Sequence, residues 1–226
     1  MKILSLDTST NIFSIAVSDG DYVIAEFFGD AGPAASARIP GHIQSLLKDA
    51  CLDISAIDAF AVTVGPGAFT GLRVGIALVK GLAYSTGKPI IPLSSLELLA
   101  LNAKESSIPV CTLFDARRGE VYSALYSFDD DMHLVRPEMA IAPVQLLAEL
   151  DGDILFIGDG ATRYHDLIVE RYSKYAHFAA DGLNYPKASA GAALVQNRLE
   201  SGQTVSPLEL APSYLRLPEA QLNKKL

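Results

Sequence analysis

Short apolar runs bounded by turn residues alternate along this chain with stripes of helical spacing. Residues 2–6 (Lys-Ile-Leu-Ser-Leu) predict a strand running into Asp7-Thr8-Ser9-Thr10. Residues 12–17 predict a second strand, Asp19-Gly20-Asp21 a tight turn and 22–28 a third strand. Ile43, Leu46, Leu47, Ala50 and Cys51 recur at i, i+3, i+4, i+7 and i+8, which predicts a helix from about 36 to 51. Residues 57–64 form an apolar run that suits a buried strand. Gly65-Pro66-Gly67-Ala68-Phe69-Thr70-Gly71 follows, then a helix carrying Leu72, Ile76, Val79, Leu82 and Ala83, which Gly87-Lys88-Pro89 ends. A strand at 90–93 and a helix at about 94–103 complete the first half.

The second half repeats this opening. Residues 109–114 enter Asp115, 119–127 predict a second strand, Asp129-Asp130-Asp131 a solvated turn and 133–139 a third strand. A helix at about 143–150, a strand at 153–157, Gly158-Asp159-Gly160 and helices at about 161–172 and 188–200 come next. Polar residues 102–107, ahead of Pro109, mark the lobe boundary, so the chain divides into 1–105 and 106–226. Two copies of strand, acid and meander imply a duplicated α/β fold with a cleft between lobes. Asp7 and Asp115 are expected to face each other across it.

Of the 226 residues 50% are hydrophobic and 19% charged, enough to bury a core and to exclude wholesale disorder. No run reaches the roughly 18 apolar residues of a membrane span, and Asp7 interrupts any signal-peptide apolar region, so a cytoplasmic protein is expected. Cys51 and Cys111 give neither a disulfide framework nor a metal quartet and are expected to be free, buried thiols. A net charge of −8 removes the basic footprint that nucleic-acid binding requires. The densest basic spots are Arg117-Arg118 and Lys224-Lys225, so any service to nucleic acid needs positive surface from a partner.

Three stretches carry candidate chemistry. A carboxylate beside hydroxyls, Asp7-Thr8-Ser9-Thr10, suits phosphate-bound Mg²⁺, against the plainer reading of a self-bonded turn. Gly158 and Gly160 between strand and helix let an anion approach the backbone, or simply make the turn. The block from Gly65 to Gly71, with Arg73 just beyond, offers backbone N–H groups to a phosphate yet fits neither nucleotide template. Gly81 to Lys88 has the wrong spacing for a phosphate loop. His42, His133, His165 and His177 are scattered without H-x-x-x-H, which argues against zinc, and no G-x-S-x-G elbow supports a hydrolase.

Four blocks together resemble the bacterial TsaB (YeaZ) family: Leu4 to Ser9, Gly65 to Gly75, Asp115 to Tyr122, and Pro212-Ser213-Tyr214-Leu215-Arg216. Ala68 stands where many relatives have Ser. The resemblance spans nearly the whole chain and implies a two-lobed actin/Hsp70/sugar-kinase (ASKHA, RNase H-like) fold. It implies a non-catalytic subunit of the machinery that makes N6-threonylcarbamoyladenosine at position 37 of tRNA. The implied partners are the catalytic paralogue TsaD, the TsaE ATPase and a second copy of the chain, with tRNA reached only indirectly and no membrane. ATP or ADP with Mg would bind only in the complex, which makes Asp7, Asp115, Gly158 and Gly160 a vestigial nucleotide cleft.

TsaD-like members hold a metal through paired histidines; here Arg38 and a lone His42 occupy the comparable helix, so no metal is carried over. Gly65, Pro66, Gly67, Phe69, Thr70, Gly71 and Arg73 form the family loop. Ile43, Leu46 and Leu47, with Val74, Leu78 and Leu82, exceed one core-facing stripe and are expected to form the partner interface, which Leu46→Glu would weaken. The catalytic alternatives are an ATP-dependent kinase-like phosphotransferase and a peptidase of the related glycoprotease group. The tail 212–216 is a docking segment or a strap over the protein's own surface.

Overall fold

Residues Ile3 to Asp7 are buried without a break, which places their strand in the middle of a sheet. The structure, a computed structural model, describes residues 1–30 and 35–216; the basic pair Lys224-Lys225 lies outside them. Strands β1 (Lys2–Asp7), β2 (Ile12–Asp19) and β3 (Tyr22–Asp30) form an antiparallel meander. After helix α1 (Ala35–Asp49), strand β4 (Ala59–Gly65) joins β1 in parallel. Helix α2 (Phe69–Thr86) leads to β5 (Ile90–Ser94), parallel to β4, and to the short helix α3 (Ser95–Ala100). Sheet order is β3-β2-β1-β4-β5.

Period-two alternation sorts the side chains. Leu4 and Leu6 of β1, Phe13, Ile15 and Val17 of β2, and Phe60 and Val62 of β4 face α1 and α2, where Ile39, Ile43, Leu46, Leu47, Leu72, Ile76 and Val79 meet them. Ile3, Ala59, Ala61, Ile91 and Leu93 line the opposite face.

The second unit repeats the plan. Strands β6 (Val110–Arg117), β7 (Glu120–Phe128) and β8 (Met132–Ile141) form the meander, with Asp129 to Asp131 exposed at the tip between β7 and β8. Helix α4 (Pro143–Ala148) precedes β9 (Ile154–Ile157), which pairs in parallel with β6. Helices α5 (Asp159–Arg163) and α6 (His165–Tyr172) then lead to β10 (Ala176–Phe178). The order β10-β9-β6-β7-β8 matches the first sheet, three antiparallel strands followed by two parallel ones. Cys111, Leu113, Val121, Phe156 and Ile168 are buried at its core.

Division after residue 105 does not describe the packing. The chain forms one unit from Met1–Asn102 with Tyr185–Pro212, and another from Ala103–Asn184 with the described tail residues 213–216. Asn102 Nδ2 donates to the Tyr185 carbonyl at 2.7 Å, and the Ala188 N–H donates to Ser14 Oγ at 2.9 Å. Helix α7 (Ala192–Glu200) then brings Val195 onto the second face of the first sheet, and Arg198 bonds Glu97 at 2.6 Å. An antiparallel bridge between Ile90 and Val205 covers the edge of β5.

Local expectations fail at three places. Helix α1 stops at Asp49, and Cys51 takes a left-handed φ of 54° beyond it, so this thiol is exposed while Cys111 is buried. The helix expected at 161–172 breaks at Tyr164 (φ −104°, ψ 19°), whose N–H reaches back to Gly160 and Thr162. Leu46, 7% exposed, belongs to the core. Leu46→Ala is therefore expected to cost about 2–5 kcal/mol in denaturant unfolding, whereas an interface-only role would leave the unfolding midpoint unchanged.

Candidate functional site

The glycine block closes on the chain's own backbone. A Cβ at Gly67 would collide with the Ser9 carbonyl, one at Gly71 with the Thr8 carbonyl and one at Gly75 with Thr8 Oγ1. Gly71 and Gly75, four residues apart, lie along one side of α2, while Gly67 sits in the loop just ahead of the helix; the missing side chains let residues 8–9 lie against all three. Two bonds lock the contact: Ala68 N–H to the Ser9 carbonyl at 2.7 Å, and Thr8 Oγ1 to the Gly71 carbonyl at 2.8 Å. Gly65 and Pro66 are buried, and the Ser95 hydroxyl donates to the Pro66 carbonyl. Phe69, Thr70 and Arg73 are exposed, with the Arg73 guanidinium 3.6 Å over the Phe69 ring.

Asp7 lies behind this contact with no solvent exposure. Its Oδ1 accepts from Thr63 Oγ1 at 2.7 Å and from the Ser9 N–H at 3.4 Å, while Oδ2 is buried with no hydrogen-bond partner. Burial pushes its carboxyl up to about 6, against the opposing pull of the Thr63 and Ser9 hydrogen bonds. A Mg-nucleotide does not fit at this corner, because the carboxyl has no open side and Ser9 already occupies the loop's Ala68 N–H.

Asp115 has a different solution. Its side chain is 8% exposed, and Oδ2 lies 3.3 Å from Arg117 and 3.4 Å from Arg163. Oδ1 accepts from the Arg117 N–H at 2.9 Å, and the Asp115 N–H donates to Asp159 Oδ1 at 3.0 Å. Burial raises the Asp159 carboxyl above its ordinary value, and the neighbouring Asp115 charge adds to the rise. Gly158 (φ 116°) donates its N–H to Asn184 Oδ1 at 2.8 Å, and Gly160 abuts the Leu113 backbone. Both glycines thus serve packing within the second unit.

Ile43, Leu46 and Leu47 are buried in the first core, and Val74, Leu78 and Leu82 are half-buried against it. The expected surplus stripe is absent at the first three, because α1 packs on the sheet and on α2 together. The outer side of α2 instead exposes Ala77, Gly81 and Tyr84. His42 stacks on Phe27 with ring centroids 4.0 Å apart. Among the described residues no three His, Cys, Asp or Glu side chains converge on a metal position, and no helix is long and apolar enough to cross a membrane.

The tail behaves as a strap. Arg216 donates to the Ala116 carbonyl at 3.1 Å and pairs with Glu120, so two sequence blocks that stand about a hundred residues apart make one local device. Spacing alone offered no signal for this pairing.

Residues 30–224 match the family TsaD, tRNA N6-adenosine threonylcarbamoyltransferase. The tRNA threonylcarbamoyladenosine biosynthesis protein TsaB of Bacillus subtilis (strain 168) is 32% identical over 98% of this chain and 96% of its own length. YeaZ from Pseudomonas aeruginosa superposes with a TM-score of 0.82 at 30% identity, over 95% of this chain and 99% of its own. A ROK hexokinase from Thermus thermophilus, with a TM-score of 0.51 at 12% identity over 89% of this chain and 100% of its own, shares the fold alone.

Two predictions follow from the Asp7 corner. Unfolded, the carboxyl titrates near 3.8; folded, near 6. Below the lower value both states are neutral and stability is full; as pH rises through about 6 the buried charge costs about 3 kcal/mol. Asp7→Asn is expected to flatten that decline and to gain about 1–3 kcal/mol at pH 7.5, whereas parallel pH–stability curves would refute the assignment. Gly71→Ala, forced against a backbone carbonyl, is expected to lose about 1–3 kcal/mol; an unchanged melting temperature would mean that α2 does not need the contact.

Proposed function

The chain belongs to the TsaB (YeaZ) family of tRNA threonylcarbamoyladenosine biosynthesis proteins, and we propose that it serves there as a non-catalytic scaffold in the cytoplasm. The observation that carries this reading is the sealed Asp7 corner. The acid that would hold a phosphate-bound cation has no access to solvent, and the glycines that would cradle a phosphate hold residues 8–9 instead. A chain so arranged acts through its surface. Its partners are a TsaD-like catalytic paralogue and a TsaE-like ATPase, with a homodimer when it stands alone. ATP or ADP with Mg binds only where the complex completes a site.

The pairing surface is the outer side of α1 and α2. Gly41 on α1 and Gly81 on α2 have open space beyond them, and Tyr84 is 81% exposed. Helices approach closely over small residues, and an exposed aromatic at the margin supplies anchoring area. Half-buried Val74, Leu78 and Leu82 lie beside this face and can contribute their exposed edges.

Two measurements test the proposal. In a reconstituted system with the donor-synthesising enzyme, TsaD and TsaE, nucleoside mass spectrometry is expected to find threonylcarbamoyladenosine in tRNA only when this chain is present; equal yield without it sinks the scaffold reading. Gly81→Glu, placed in open space, is expected to weaken pairing with TsaD and with a second copy at least tenfold by sedimentation, leaving the melting temperature in place. Unchanged pairing would move the interface elsewhere.

A further inference from the structure

The turn between β6 and β7 is built at some cost. Arg117 and Arg118 both take left-handed backbone conformations, with φ 62° and 56°, and Gly119 follows at 80°. Left-handed geometry disfavours a side chain with a Cβ by about 1–2 kcal/mol per residue, and such hairpin turns ordinarily use Asn or Gly. Arg216 from the tail braces the turn through the Ala116 carbonyl and Glu120. Arg163, at the end of α5, comes to the same place from another element.

The result is a pair of guanidiniums held by one carboxylate oxygen. Arg117 and Arg163 lie 3.3 and 3.4 Å from Asp115 Oδ2, and their side chains are 79% and 54% exposed. Asp115 itself is almost covered, so its charge positions the two forks, each through one Nη1, on largely exposed side chains that have further N–H donors. Arg118 adds a third exposed cation, and the Tyr164 ring lies 5.8 Å beneath Arg163. Acids stand beside these arginines too: Asp159 accepts from the Asp115 N–H, and Glu120 is engaged by Arg216.

We propose that Arg117 and Arg163 are RNA backbone contacts, binding phosphodiester oxygens of tRNA once the chain is assembled with its catalytic partner. This inference rests on the scaffold reading and replaces purely indirect contact with a local one. Guanidinium forks match phosphate oxygens bidentately, and two forks on a shared anchor are suited to neighbouring phosphates of one strand. The net charge of −8 works against RNA binding by the chain alone. Two phosphate contacts add to a surface that the partner largely supplies.

The test measures tRNA affinity of the assembled complex across a range of salt concentrations. The double variant Arg117→Ala/Arg163→Ala is expected to bind about tenfold more weakly, with the slope of log affinity against log salt reduced by about 1.5. Arg117→Lys/Arg163→Lys keeps the charges and is expected to preserve the slope while recovering part of the affinity. Unchanged affinity and slope in the alanine variant would overturn the proposal. Failure of that variant to assemble, with its melting temperature intact, would assign the patch to a protein interface and overturn it too. Loss of inorganic phosphate binding with tRNA affinity unchanged would assign it to a small anion, with the same consequence. If instead the wild-type complex makes no threonylcarbamoyladenosine, the scaffold reading itself has failed, independently of the patch.

Discussion

The first unit depends on one close approach, in which Thr8 and Ser9 rest against α2 and the loop that enters it, where Gly67, Gly71 and Gly75 have no side chains. That approach sets the distance between the helix and the end of β1. At any larger distance the Ala68–Ser9 and Thr8–Gly71 hydrogen bonds would open and the Asp7 carboxyl would reach water. Asp7 is charged only at a price in stability because this seal is complete. The same seal leaves the outer side of α2 as the part of the helix that can meet another protein. Packing and titration thus descend from three missing Cβ atoms, and so does the proposed pairing surface.

Two sheets of identical topology have neutralised equivalent acids by different physics. In the first, desolvation dominates, opposed only by the Thr63 and Ser9 hydrogen bonds among the described residues, and burial drives the proton on until about pH 6. In the second, two arginines surround a carboxylate that is covered on its other sides. Exposed ion pairs contribute little to stability because water screens them and flexible side chains lose entropy. The Asp115 arrangement is therefore better understood as orienting the arginines than as holding the fold. Duplication preserved the strand order and let the electrostatics of the two corners diverge.

Strands and the larger helices were legible because each buries one face and its periodicity records which. The matching meanders followed from the repeat of strand, acid and turn. Positions decided by distant contacts were not legible. Nothing in residues 185–212 announces that they pack with the first unit, since their partners Ser14, Asn102 and Glu97 lie about 80 to 170 residues earlier. Ile43, Leu46 and Leu47 looked surplus because the pattern counts apolar positions without knowing that α1 has two surfaces to cover. Glycines pose a deeper ambiguity, since a ligand and a neighbouring backbone require the same absence of a side chain. The spacing of Gly71 and Gly75 bears on the choice, because a phosphate loop gathers its glycines at a helix start whereas a packing stripe repeats along one side of the helix.

The proposed scaffold role needs a surface whose geometry does not change when it is bound, and the inner contacts of α2 suit that need. Leu72, Ile76 and Val79 are buried beneath it, and the glycine stripe holds its first turns against β1. Side chains on a helix so anchored lose little further freedom on association, so more of the contact energy remains as affinity. The exposed residues Ala77 and Gly81 keep the helix backbone accessible to a neighbour, and Tyr84 adds area with few rotatable bonds. Opening the Asp7 corner to accept nucleotide would require α2 to move away from residues 8–9, which would displace the proposed pairing surface as well. On the proposed reading, rigidity of the interface and closure of the ligand corner are the same property, and a single helix cannot provide the first while giving up the second.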